Sequence, residues 1–194
     1  MINAFKFKYI LFLIPIFFIS ANTLSNNHTN LIYAQSINNT LLTYQNSTYG
    51  ITIKYPTGWS IDESGGKDDM DVDIVAFISP NQNDNAAVDL HQDKSDNDST
   101  NIGSYLGFTT SSLKEELKDF KILESDTNSS LAGNNAYKVI YTYTDEDGNK
   151  MKDLETGTVI GSNTVYYVVY EAAENAFDKD LPVVQSMLNS LQIH

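Results

Sequence analysis

Asp89-Leu90-His91-Gln92-Asp93 is the most explicit metal-ligand pattern in this 194-residue chain. On an extended strand alternate side chains share one face, about 6.5 Å apart, so Asp89, His91 and Asp93 would form a carboxylate–imidazole–carboxylate row. Such a row could hold a divalent cation (calcium, manganese or zinc) if further ligands converged on it. The competing reading is a solvated strand face, because neighbouring ligands on one strand rarely converge on a single ion. Two acidic segments invite the same weighing: Asp69, Asp71 and Asp73 alternate, and Asp93, Asp96 and Asp98 cluster. Calcium needs several convergent oxygens. Neither segment follows the EF-hand spacing, and Asp145-Glu146-Asp147-Gly148 places its glycine wrongly for one. Solvated loops are the simpler expectation. Tyr137, Tyr141, Tyr143, Tyr166 and Tyr170 could together offer an aromatic face to a glycan or a partner, but strand aromatics more often pack beneath a helix.

Other chemistries find little support. His28 falls near the N-terminus and His194 is the last residue, which leaves His91 as the one histidine inside the domain. No Gly-rich phosphate loop, HExxH helix or GxSxG elbow occurs, and no catalytic residue can be nominated; the chain is expected not to be an enzyme. The absence of cysteine excludes disulfides, thiolate metal sites and a cysteine nucleophile. Every basic residue other than histidine is lysine, so the bidentate guanidinium used against phosphate and carboxylate is missing. The formal charge is −13. A surface of that sign repels nucleic acid and anionic lipid headgroups.

The N-terminus reads as a secretory signal over residues 1–34. Lys6 and Lys8 form a positive start, Tyr9 to Ile19 is an apolar run broken by Pro15, and small residues offer cleavage at Ser20-Ala21 or after Ala34. An uncleaved anchor is the alternative. Cleavage after Ala34 would leave ten lysines against twenty-five acids, a net charge of −15. Residues 35–40 are read as a disordered tether and 41–194 as one domain. Asn27, Asn38, Asn46, Asn97 and Asn128 each begin an N-x-Ser/Thr triplet, which could carry glycans in an exported chain or arise by chance from an Asn-rich composition.

The elements that would position these residues follow from periodicity. Tyr49, Ile51, Ile53 and Tyr55 alternate as in a strand with one buried face. Pro56 presets the first central position of a type I turn before Trp59 starts the return. Asp73–Ser79 and Ala86–Asp93 read as strands. Ile102, Leu106, Thr109, Leu113, Leu117 and Phe120 recur at helical spacing, predicting a helix to about Phe120, and a strand Lys121–Glu124 follows. Strands Ala136–Thr144, Lys152–Ile160 and Thr164–Ala172 form a meander, with Asp147-Gly148 as a hairpin turn. A last helix starts near Asp178, with Pro182 in its first turn and Leu181, Val184, Leu188 and Leu191 as its buried stripe. Antiparallel strands with two amphipathic helices make the fold class α+β.

The opening unit, Asn46 with Tyr49-Gly50-Ile51, Ile53, Tyr55-Pro56 and Trp59, resembles the start of the PsbP family. Phe77 with Ser79-Pro80, then Gly133, Ala136-Tyr137, Tyr166–Ala172, Phe177, Leu181-Pro182 and Met187 with Ser190-Leu191 and Ile193, resemble its later motifs. The likeness covers nearly all of residues 44 to 193. The resemblance implies an α-β-α sandwich around a central antiparallel sheet. It further implies an exported, non-enzymatic accessory domain that docks on an extracytoplasmic or membrane-associated protein complex, with a divalent cation such as calcium or manganese as a candidate cofactor. A monomer is expected. The alternative function is a free or surface-tethered carbohydrate- or metal-binding module.

Overall fold

The computed structural model describes residues 40–67, 71–95 and 101–194. The signal, the tether up to Asn39, and Asp69, Asp96 and Asp98 lie outside these residues. A compact unit spans Thr40–His194. Its described residues form strands β1 (Leu41–Asn46), β2 (Ile51–Pro56), β3 (Ser60–Asp62), β4 (Asp71–Ile78) and β5 (Ala87–Lys94), then helix α1 (Ile102–Glu116). There follow β6 (Lys118–Leu131), β7 (Asn134–Thr144), β8 (Lys150–Ile160) and β9 (Thr164–Ala173), helix α2 (Phe177–Ser190) and the short β10 (Gln192–Ile193).

The alternation seen around Ile51 produces the expected strand, with Ile51, Ile53 and Tyr55 buried. Its turn differs from expectation by one residue. The Trp59 N–H donates to the Pro56 carbonyl (3.2 Å), which makes Pro56 the first residue of the turn. Gly58 then takes the second central position with φ 97°, the type II arrangement that favours glycine. Trp59 is partly buried against the core, as an anchor should be.

Two antiparallel sheets result, a small one in the order β1-β2-β10 and a seven-stranded one in the order β3-β4-β5-β9-β8-β7-β6. On one face of the large sheet, Val88, Leu90, Val168, Tyr170 and Leu154 join Phe77, the small sheet and α2 residues Phe177, Val184 and Met187 in the main core. On the other face, Tyr105, Leu106 and Leu113 of α1 pack on Tyr137, Val139, Tyr141 and Met151 in a second core. This is the α+β class that the sequence pattern implied, with helices packed on both faces of an antiparallel sheet as the family resemblance implied.

Three local readings need correction. The first helix ends at Glu116, not near Phe120, because the backbone becomes extended at Leu117 (φ −93°, ψ 129°) and enters β6 at Lys118. Phe120 and Leu117 still pack beside the α1 cluster, which is why their spacing mimicked a helical stripe. The strand expected at Lys121–Glu124 is a bulged fourteen-residue edge strand whose polar, exposed sequence carries little alternation. The last helix begins at Phe177, so Pro182 falls one turn inside it.

Candidate functional site

The large sheet turns one face of β4, β5, β9 and β8 into a field of carboxylates. Asp89, His91 and Asp93 do share a face of β5, as their spacing demanded. The pairing register then sets other charged residues beside them. Asp73 lies opposite His91 and Asp71 opposite Asp93 on β4, while Asp62 of β3 faces Ala76 in the row of Asp89. Across Val169 of β9, the row of Asp89 continues to Glu155 of β8. One row further, Glu171 of β9 pairs directly with Asp153 of β8. No lysine occupies this face of β4, β5, β9 or β8; their lysines, Lys94, Lys150 and Lys152, sit at positions of the opposite alternation.

His91 is the single basic group in the field, and it is already engaged. Its Nδ1 lies 2.8 Å from Asp73 Oδ1, and its ring stacks on Tyr167 with centroids 4.6 Å apart. Burial pulls the imidazole down, yet the Asp73 hydrogen bond and the charges of Asp89, Asp73 and Asp71 leave it raised above its ordinary value. Burial likewise pushes Asp73 up, but the His91 contact and the Gly66 N–H hold the carboxyl below the usual range. Asp93 accepts a hydrogen bond from the Tyr105 hydroxyl of α1 at 2.9 Å. Two of the three candidate metal ligands, His91 and Asp93, are therefore engaged by different partners. Among the described residues no group of three His, Asp or Glu side chains is disposed to hold a metal ion. By themselves the described residues do not assemble the convergent ligand set that a divalent cation needs.

Asp153, Glu155 and Glu171 went unnoticed as sequence. The signal that could have found them is alternation: Asp153 and Glu155 share a strand face with Met151 and Val159, and Glu171 shares one with Val165, Tyr167 and Val169. Asp153 is 4% exposed and Glu155 1%. Tyrosines of the neighbouring strand hold one side of this group: the Tyr137 hydroxyl donates to Glu155 Oε1 (2.5 Å) and the Tyr143 hydroxyl to Glu171 Oε2 (2.8 Å). Asp153 Oδ1 and Glu155 Oε2 are buried and have no partner. Burial raises Glu155 to about 7 against the opposing pull of Tyr137 and His91. Burial, then the charges of Glu171, Asp73 and Asp62, raises Asp89 to about 7 as well. Asp153 is pushed far up by burial and by Glu171 beside it, and burial also raises Glu171.

The tyrosines do not form one aromatic surface. Tyr137, Tyr141 and Tyr143 lie in the α1 core, whereas Tyr166 and Tyr170 lie in the α2 core, since odd and even positions of the sheet face opposite ways. All five are buried, as packing beneath helices predicts. Of the glycosylation triplets within the described residues, Asn128 is exposed, while the Asn46 amide donates to the Tyr44 hydroxyl at 3.1 Å.

No curated protein matches the chain at a significant level. Among solved structures, cyanobacterial PsbP (CyanoP) from Synechocystis superposes with a TM-score of 0.59 at 16% identity, covering 80% of this chain and 94% of that one. LpqN of Mycobacterium tuberculosis, described as involved in cell envelope biogenesis, gives 0.55 at 16% identity over 74% and 82% of the two chains. The Ran-binding protein Mog1p of Saccharomyces cerevisiae gives 0.52 at 11% identity over 79% and 95%. These identities speak for a shared fold alone. The family model for PsbP, however, matches residues 39–193, which takes in both sheets and both helices, and on that ground the chain belongs to the PsbP family.

Proposed function

We propose that this protein is an exported, non-catalytic accessory domain that docks on an extracytoplasmic protein complex through the acidic face of its large sheet. The observation that carries this reading is the charge pattern of that face. Carboxylates from β3, β4, β5, β9 and β8 line up across the strands, and the sole basic group among them is His91. Stability alone does not account for such an arrangement, because buried like charges oppose folding. Their cost is offset when a positively charged partner surface meets them. Among the described residues, α1 lies over the β6 and β7 side of this face, and Asp89, His91 and Glu171 on the other strands stay only partly buried. No helix among the described residues is long and apolar enough to cross a membrane.

The test is crosslinking in intact source cells, followed by purification of the tagged chain under denaturing conditions. A defined membrane or envelope complex should be recovered with crosslinks mapping to β4, β5 and β9. Recovery of the chain alone, or crosslinks confined to the α2 face, would refute the reading.

A further inference from the structure

We propose that Asp153 and Glu155, with Asp89 and Glu171 at the lip, form a receptor for a lysine or arginine side chain presented by a partner protein. This rests on the docking reading and names the chemistry that the acidic face recognises.

The argument starts from hydrogen-bond accounting. Buried polar atoms are nearly always paired, and each exception calls for an explanation. Here two exceptions sit two residues apart on the same face of one strand, Asp153 Oδ1 and Glu155 Oε2. Both side chains are more than nine-tenths buried. Their other contacts orient them: Tyr137 holds Glu155 Oε1, and Tyr141 hydrogen-bonds Asp153. Two acceptors are thus aimed by tyrosines and left for a donor that the described sheet does not supply. The chain has no arginine at all, and the lysines of β5 and β8 alternate to the other face.

The missing donor has a recognisable chemistry. A divalent ion would need three or more oxygens or nitrogens converging on one point, and the described residues do not offer that. An ammonium with three donors, or a guanidinium with five, needs acceptors spread over several ångströms instead. Alternate positions of a strand, about 6.5 Å apart, provide that spread. Access lies on the side away from α1, where Glu171 pairs with Asp153, and Asp89 lies across Val169 from Glu155. Both lip residues are partly exposed. The raised carboxyls agree with this role, since an arriving cation would favour their ionised forms.

The test uses the full chain labelled with ¹⁵N, beside Asp153→Asn/Glu155→Gln and the single variant Glu155→Gln. The probes are nine-residue Gly/Ser peptides with one central Arg or Lys, the matching citrulline and norleucine peptides, and CaCl2, all at fixed ionic strength. The Arg or Lys peptide should give saturable amide shifts centred on β8 and β9, with affinity at least tenfold weaker in both variants. The neutral peptides should give none. The variants should keep or raise Tm, because they remove buried like charges without changing shape. Equal binding by wild type and variants, or shifts with CaCl2 but not with the peptides, would overturn the proposal. If both variants still capture the crosslinked complex as well as wild type does, this receptor is refuted while the docking reading survives.

Discussion

Gly157 of β8 lies directly opposite Tyr137 of β7, and a Cβ built on it would come within 2.6 Å of the tyrosine ring. The missing side chain lets the ring lie flat across β8, so that its hydroxyl reaches Glu155, two residues along the same strand. Glycine weakens a strand interior, and here it makes room for a close approach. Gly157→Ala should therefore destabilise the fold by about 1–3 kcal/mol, the usual cost of overpacking a core. Urea unfolding checks this, and Tyr137→Leu in the same background should recover part of the loss.

Stability should fall as pH rises between about 4 and 7. Asp89 and Glu155 are both raised to about 7 in the folded state, so across that window the folded chain binds more protons than the unfolded one. Their protonated forms are tolerated, and ionisation at higher pH opposes folding. His91, also raised, acts with the same sign: its stabilising charge is present below about 6.5 and is lost as pH climbs through its folded value. Thermal unfolding should give a higher Tm at pH 5 than at pH 8, and Glu155→Gln should flatten the slope. A flat or rising profile in the wild type would contradict the assignment.

The His91–Asp73 pair joins β5 to β4 across 18 positions of sequence. Both side chains are partly exposed, so the coupling is set at about 1 kcal/mol rather than the value of a fully buried pair. A double-mutant cycle with His91→Ala and Asp73→Ala, measured by urea unfolding at pH 6, should return that energy. As pH rises through the raised folded value of His91 the imidazole loses its charge and the coupling should shrink.

The last three residues close the small sheet. Gln192 pairs with Thr52 and Ile193 with Ile51, and the His194 N–H donates to the Gly50 carbonyl at 2.7 Å. Ending the chain at Leu191 should cost about 1–3 kcal/mol, within the range for losing a buried packing contact and its strand pairing. His194→Ala keeps the backbone bond and should leave Tm unchanged.

Much of the architecture could be read locally. Alternation at Ile51, Ile53 and Tyr55 identified β2, and Asp147-Gly148 marked the turn between β7 and β8, where Gly148 takes φ 88°. The spacing of Leu106, Thr109 and Leu113 marked the buried stripe of α1. The weakly patterned elements were harder. β1 and the long β6 expose most of their residues, so neither carries the apolar rhythm that betrays a strand, and β10 is too short to have one.

For the site, the sequence by itself determined that Asp89, His91 and Asp93 share one face, because a strand repeats every two residues. It also determined the acidic charge and the lack of any arginine. Which residues stand beside them was decided only by the tertiary structure. Register places Asp73 against His91, Asp153 against Glu171, and Glu155 one strand beyond Val169. A period of two tells which way a side chain points. It says nothing about which strand lies next to it or which face a helix covers, and those are settled by contacts between segments far apart in the chain.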